Sequence, residues 1–514
     1  MTNFGYKKMF EDLKSFKPRV RDLDKLNWFM TSNPNHYPQT LDALNPDFPK
    51  SVSRIPAGYT YLGQFISHDI SFDSRSDRFI PVDRPWRRID IESIVNGRNP
   101  VFDLETIYEK QDNGVIPINN LLARNSHTNL RLDYTSGDQN NSNLRLRQSY
   151  LSDLPRPESE AKAIIVDPRN DENLLVAQTQ VAFMKFHNAV IKKLGGADNK
   201  QTFDKARKIV IRHYQHIILT DFLPRIVKDS ILKDVIATVR DSEGIDYVFY
   251  DPSVNNGFIP LEFSTAALRT GHSMIRNGYN MNSSVKSEEA ILRELALLTG
   301  LGNMRLSRTF LNSDYHLPSR WLINWKLFYD IDGSSQSQPD FNFAMKITGR
   351  YSSTLGILRP SAHSGRGNSL AALDLFRGRV LGLPNGQAVA NEMAKKKEIQ
   401  VLTTSQIESK LPEDLRQSFK DEAPLLFYIL AEAEFQEKPE DVDKLGDVGS
   451  WIYAETIVRL LYNSPYSILQ SDLAGDEDFR VEKDGRKTFG MAEMLKFIAD
   501  ANNTNDFDEL NPIG

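Results

Sequence analysis

Apolar residues recur at three- and four-residue intervals through long stretches of this chain. That spacing limits its fold more than any other feature, because it buries one face of a helix and leaves a strand with no consistent side. In ENLLVAQTQVAFMKFHNAVIKKL the recurring positions are Leu175, Thr179, Ala182, Phe183, Phe186 and Val190. A long helix is predicted there, with Asp167, Asn170 and Asp171 as cap candidates and Pro168 beside them. KARKIVIRHYQHIILTDFLPRIV (205–227), PLEFSTAALRTGHSMIR, EEAILRELALL, SRWLINWKLFYD, APLLFYILAEAEF and SWIYAETIVRLLYN also read as helices. So does 60–72, through Leu62, Phe65 and Ile66. EIQVLTTSQI (398–407) has short strand or loop character, and 127–147 suggests short strands around SGDQNN. There is no βαβ alternation and no repeat. The expected class is mainly α, with few short strands.

Residues 1–55 are mixed and Pro-containing, and read as an extended arm packed on a larger body. Residues 73–150 are rich in Asp, Asn, Arg, Pro and Ser, and a loop-rich stretch of that length is usually functional. The division expected is an arm (1–55), a catalytic body (56–475) and a C-terminal extension (476–514).

The chain has 514 residues and no cysteine. Disulfides, Cys-type zinc sites, iron–sulfur clusters and a thiolate haem ligand are therefore excluded. Any metal or cofactor must be held by His, carboxylate, carbonyl or Tyr. A net charge of -5 argues against a nucleic-acid partner, which usually requires a basic stripe. MTNFGYKKMFEDLKSF is charged and amphipathic, unlike a classical signal peptide, and no apolar stretch is long enough to span a membrane. The expectation is a soluble chain, intracellular or exported by another route.

Of the nine histidines, any one taken alone is a surface or satisfied structural residue before it is a ligand. His213 and His216 could share a helix face, but without a carboxylate pattern they read as structural. Two others have informative neighbours. In YLGQFISHD, Gln64 and His68 lie four apart on one face, with Asp69 rotated by about 100°. One helix can offer an imidazole to one cavity and a carboxylate to another; otherwise this is a polar helix end. In ALRTGHSMIR, Arg269 lies three before His272. Gly271 costs a helix about 0.5–1 kcal/mol relative to Ala, so a packing or ligand reason is expected. In DPRNDENLL, Arg169 and Glu172 are three apart at a helix start, where the dipole disfavours Arg.

Together these segments resemble the animal-type haem peroxidase family (the myeloperoxidase, thyroid peroxidase and cyclooxygenase superfamily), and specifically its bacterial members. The resemblance covers roughly residues 50–470. YLGQFISHD resembles the distal motif G-Q-x-x-x-H-D. DPRNDENLLVAQTQVAFMKFHNAV resembles the D-x-R-x-x-E…H-N-x-x helix, and LRTGHSMI the proximal R-x-G-H. SLAALDLFRGRVLGLPNGQAVA resembles the L-N-x-x-R-x-R…G-L-P segment. APLLFYILAEA and LGDVGSWIYAETIVRLL resemble the family's C-terminal helices.

The resemblance implies haem b and a site residue by residue. His68 matches the distal histidine, the acid/base that moves the peroxide proton. Gln64 matches the distal glutamine that orders water or a small anion. Arg169 matches the distal arginine, whose charge stabilises the breaking O–O bond. His272 matches the proximal iron ligand. Arg269 and Arg377 match residues near the haem propionates. Asp374 stands where the animal enzymes have the asparagine that accepts from the proximal imidazole. A carboxylate there gives more imidazolate character and a lower Fe(III)/Fe(II) potential.

Departures matter as well. Ser67 replaces the carboxylate that forms one haem ester in the animal enzymes, and Asn173 replaces the Met of the sulfonium link in myeloperoxidase. Glu172 matches the other ester-forming carboxylate. At most one covalent ester, through Glu172, is implied. For calcium, Asp69 matches the distal-helix ligand, and NPVFDLETIY resembles the T-x-x-x-D-x-[SD]-x-x-Y loop. That loop would supply carboxylates from Asp103 and Glu105 and a carbonyl from Val101, with Asn99 where Thr is usual; Ca2+ is expected.

The activity implied is a peroxidase that uses H2O2 to form oxo-ferryl haem and then oxidises small donors. Aromatic or other one-electron donors come first, iodide or bromide next, and chloride is not expected. A fatty-acid dioxygenase-like oxygenase is the alternative. It needs a Tyr three residues before the proximal His, and Arg269 stands there. A haem-binding protein without turnover would lack the distal set, which is present. A helical interaction scaffold would bind no haem.

Overall fold

Helices form where the apolar spacing demands them in the computed structural model, which describes residues 4–31, 51–72, 90–91, 94–108, 121–157, 161–243, 246–251, 258–300, 315–333, 335–356, 369–470, 481–483, 486–504 and 508–514. The long helix Leu174–Lys193 buries most of its residues. It packs beside Gly58–Ile70 and Lys200–Ile217. Phe65 stacks on Phe183 at 5.0 Å, and Tyr214 meets both rings edge-on, so one aromatic trio ties the three helices together. Offset and edge-on pairs of this kind add to the burial of their area.

Asp447–Tyr462 is buried on nearly every face, against Asp229–Asp241 and Leu425–Ala433. A helix buried at its start must still satisfy its first N–H groups. Glu432 does this, accepting from the amides of Val448 (3.0 Å) and Gly449 (3.3 Å). Gly446 is required at that point, since a Cβ there would stand 2.2 Å from Glu432 Cγ.

Strands are short. Phe4–Lys7 lies between Val95–Asn96, antiparallel, and Phe258–Pro260, parallel. Val52–Pro56 pairs with Phe343–Met345, and Asp133–Tyr134 with Leu151–Asp153. Within 1–55, the described residues include the helix Val20–Thr31, packed on Leu370–Val380. The helix Met491–Asn502 packs on 174–193. Among the described residues no helix is long and apolar enough to cross a membrane.

Several local readings need correction. SRWLINWKLFYD is not a helix but two short 3-10 turns, Ser319–Trp321 and Trp325–Leu327. Its backbone is claimed from outside: Asn282 takes the carbonyls of Arg320 and Leu322, while Asn324 and Trp325 donate to Met281 and Leu510. PLEFSTAALRTGHSMIR divides into Leu261–Thr265 and the 3-10 helix Ala267–Met274. The cap of the long helix is Asn173, not the residues before it; Asp167 caps the 3-10 turn Pro168–Asp171. LRLR (144–147) is a helical turn rather than a strand. EIQVLTTSQI is not wholly strand or loop: Thr403 opens the helix Thr404–Ser409 through a capping box with Gln406. Lys200–Ile217 continues through a π turn, Ile218–Phe222, into Leu223–Ile226, where Pro224 supplies no amide donor.

Candidate functional site

His68 and Asp69 point to different surroundings, as the helical rotation predicts. His68 lies near the end of the 58–70 helix and is buried. Its Nδ1 is 2.7 Å from Asn170 Oδ1. Asn170 Nδ2 in turn donates to Gln180 Oε1 at 2.6 Å, and Gln180 Nε2 faces Met184 Sδ at 3.8 Å. The sulfur offers no proton, so this direction of donation satisfies every amide. Nδ1 therefore carries the hydrogen and Nε2 keeps its lone pair. Burial pushes the imidazole down to about 3, and the charge of Arg169 adds to that. The ring is neutral near pH 7, ready to accept a proton at Nε2.

Gln64, one turn earlier, is held at both ends of its amide. Its Nε2 donates to the Glu172 carboxylate and its Oε1 accepts from Asn173 Nδ2 at 3.1 Å. Asn173 thus serves twice, since its Oδ1 also caps the long helix through Val176 N. Burial raises Glu172 to about 7 against the opposing charge of Arg169. Ser67 donates to the backbone oxygen of Gln64 at 2.7 Å.

The Arg placed against the helix dipole has its own carboxylate. Arg169 Nε and Nη2 reach Asp167 at 3.0 and 2.7 Å, and Nη2 also donates to the His68 carbonyl at 2.9 Å. Arg98 meets the same carboxylate at 2.8 Å, and both guanidiniums lie over the Phe72 ring. Burial alone would raise Asp167, but the two arginines hold it below the usual carboxylate range. The result is a cation fixed to the backbone of His68.

On the other side, His272 sits in the 3-10 helix, whose three-residue repeat aligns it with Arg269. Its Nδ1 lies 2.7 Å from Asp374 Oδ2, which leaves Nε2 for a ligand. Asp374 comes from the 370–380 helix, and its side chain has no exposed surface. Burial pushes its carboxyl up; His272, Arg269 and Arg377 outweigh that and hold it low. Arg377 Nη1 is 3.5 Å from Asp374 Oδ1, and Tyr351 donates to Oδ2 at 3.2 Å. A Cβ built at Gly271 would meet nothing within 4 Å, so the backbone beside His272 borders open space. His272 itself keeps 22% of its side chain accessible. An imidazole Nε2 left available beside an open, glycine-lined gap, with two arginines at hand, fits an iron porphyrin. The charge of Arg269 acts on His68 and Glu172 as well as on Asp374, and the 58–70 helix packs against the 3-10 helix that bears His272, so the two halves are neighbours.

Asp69 has partners of its own. It accepts from Leu104 N (3.2 Å) and from the amide and hydroxyl of Thr106 (both 3.4 Å). Burial raises its carboxyl well above the usual range, and nearby Asp103 raises it further. Glu105 does not join them; it accepts from Asn99 N at 3.2 Å, and Val101 N donates to Asn99 O. Among the described residues no three His, Asp or Glu side chains gather closely enough to hold a metal ion. The acidic pair Asp69–Asp103 together with oxygens of the loop fits the donor chemistry of calcium. His213 bonds to Ile209 O and packs on Phe489, while His216 contacts Phe489 O and Thr220, so the two are not a metal pair.

Asn170, Gln180, Arg98 and Tyr351 were not identified as site residues from the sequence. Asn170 adjoins Arg169 and could have been suspected. Tyr351 and Arg98 reach the site only through tertiary packing.

The family model for animal haem peroxidases matches residues 64–459. A peroxidasin homologue, pxn-2 of Caenorhabditis elegans, is 25% identical over 202 residues, 37% of this chain and 14% of that protein. The human probable oxidoreductase PXDNL is 30% identical over 129 residues, 24% of this chain and 8% of that one. The matches thus span only a small part of these much longer relatives. Among solved structures, peroxidase A of Dictyostelium discoideum has the same fold, with TM-score 0.60 and 15% identity over 98% of this chain and 95% of that one. A fatty acid alpha-dioxygenase of Oryza sativa gives 0.54 and 13%, over 87% of this chain and 73% of that one.

Proposed function

We propose, from the premise that this chain belongs to the animal haem peroxidase family, that it is a haem-dependent peroxidase acting on H2O2 and a small electron donor. The observation that carries the proposal is the pair of differently prepared imidazoles on two elements that pack together, the 58–70 helix and the 3-10 helix Ala267–Met274. His68 is held as a neutral base by Asn170, and His272 as a ligand by Asp374.

In this reading His272 Nε2 holds the iron and Arg269 and Arg377 meet the propionates. The haem, when bound, supplies the two-electron reduction of peroxide and the one-electron steps that follow. His68 Nε2 would accept a proton from one oxygen of hydrogen peroxide and return it to the other. Arg169, fixed by Asp167, would stabilise negative charge on that second oxygen. Gln64, held between Glu172 and Asn173, presents its amide to water or a small anion. Glu172 is the one candidate for an ester link, since Ser67 and Asn173 cannot supply the others. Asp69 and Asp103 are the proposed calcium carboxylates, helped by loop carbonyls.

The donor follows from the potential. One ester at most, no sulfonium link and a carboxylate behind His272 all lower it. Phenols or other one-electron donors fit best, then iodide or bromide, and chloride does not. The dioxygenase reading is less favoured, because Arg269 occupies the position where it needs a tyrosine.

The test is to titrate the purified chain with haemin and assay H2O2-dependent oxidation of a phenol, iodide, bromide and chloride. A Soret band with phenol turnover is expected. No haem uptake removes the proposal, and efficient chloride oxidation refutes the low-potential reading.

A further inference from the structure

Two donors converge on one oxygen behind His272. Asp374 Oδ2 accepts from His272 Nδ1 at 2.7 Å and from the Tyr351 hydroxyl at 3.2 Å. Tyr351 is 1% exposed, and its ring meets the His272 ring nearly perpendicular, at 6.1 Å between centroids. Its backbone is anchored far from the site, donating to Met30 O at 2.8 Å. The same hydroxyl lies 3.4 Å from the backbone oxygen of Arg269, so it spans both the carboxylate and the 3-10 helix that bears His272.

A carboxylate oxygen that accepts two hydrogen bonds has less electron density for each. The shorter bond to His272 depends on how strongly Oδ2 draws the Nδ1 proton, and every competing donor weakens that pull. Among the described residues the other oxygen, Oδ1, has the long contact to Arg377 at 3.5 Å. Tyr351 is therefore placed to act on the particular oxygen that sets the imidazolate character of His272.

Building on the haem reading above, we propose that Tyr351 is a positioning residue that moderates Asp374, holding the reduction potential of the bound iron higher than the His272–Asp374 pair alone would set it. Asp374 lowers the potential and Tyr351 partly restores it. The pair of opposing groups lets the protein keep a carboxylate behind the ligand while retaining an oxidant strong enough for its donors.

The experiment is a redox titration of the Fe(III)/Fe(II) couple in haem-loaded wild type, Y351F, D374N and the double variant. The iron–imidazole stretching frequency of each ferrous form, by resonance Raman, is the second readout. Y351F is expected to have a more negative midpoint than wild type and a higher stretching frequency. D374N is expected to move both the other way, and adding Y351F to D374N is expected to change the midpoint by clearly less than in the wild-type background. A Y351F midpoint equal to or above that of wild type, with its stretching frequency unchanged, overturns the inference. An equal Y351F shift in both backgrounds also overturns it, since the hydroxyl would then act without Asp374. Failure of the underlying haem reading looks different: wild type shows no Soret band on titration with haemin, and the inference falls with it.

Discussion

His68 and Asn170 are joined by a 2.7 Å hydrogen bond that decides which nitrogen of the imidazole can act. Asn170 is itself fixed by Gln180, and all three side chains are buried. The base is thus prepared on the face away from the reaction. Removing the acceptor, as in Asn170→Ala, frees the ring to adopt the other tautomer. Loss of such outer partners typically costs about 10- to 100-fold in activity. The rate of the first reaction with H2O2, by stopped flow, is expected to fall by that order with haem content unchanged. An unaltered rate would remove Asn170 from this role.

Asp374→Asn is expected to raise the Fe(III)/Fe(II) potential, because an amide draws the His272 proton less than a carboxylate does. The 2.7 Å contact makes Asp374 the partner to change. A midpoint within error of wild type would count against it.

Glu172 is the carboxylate proposed for the ester, and it lies within hydrogen-bond reach of Gln64. After haem loading and peroxide treatment, denatured wild type is expected to retain haem mass, and Glu172→Gln to release all of it. Haem that extracts fully from treated wild type would sink the single-ester idea.

Asp69 and Asp103 are both buried, and the charge of Asp103 makes Asp69 harder to ionise. A bound divalent cation removes that repulsion. Chelation is expected to lower the melting temperature, with recovery on adding calcium, and Asp103→Asn is expected to weaken the recovery. A melting curve indifferent to both chelator and calcium would refute the site.

Glu432 gives a pH dependence separate from the site. Burial pushes it up to about 8, although the amides of Val448 and Gly449 oppose this. The folded state then holds a proton that the unfolded state, near 4.5, releases. Stability from this group is fully present below about 4.5 and is lost as pH rises through about 8. Thermal melts of the chain without haem are expected to fall between about pH 4.5 and 8, the span over which this group's contribution is lost, by less in Glu432→Gln than in wild type. Parallel curves would exclude Glu432 as the cause.

What the sequence made legible was periodic or contiguous. The 58–70 and 174–193 helices follow from apolar spacing, and the Gln64–His68 relation follows from helical geometry. The His272–Asp374 contact is different. Those residues stand far apart in sequence, and their pairing was implied by family resemblance alone. What stayed hidden depends on long-range packing. Tyr351 lies in a segment without periodicity, and Arg98 meets Asp167 across a loop. SRWLINWKLFYD has helical spacing, yet Asn282 and Leu510 take its backbone partners. The capping box at Thr403 is written in the sequence, but the apolar spacing that would mark a helix there is weak.

The most direct test of the central claim is the rate of H2O2-dependent phenol oxidation by haem-loaded wild type beside His68→Ala. A positioned general base contributes roughly 10²–10⁴-fold, so a loss of that order with an unchanged Soret band is predicted. Equal rates in the two proteins, at equal haem content, would contradict the assignment of His68 and with it the peroxidase reading of this site.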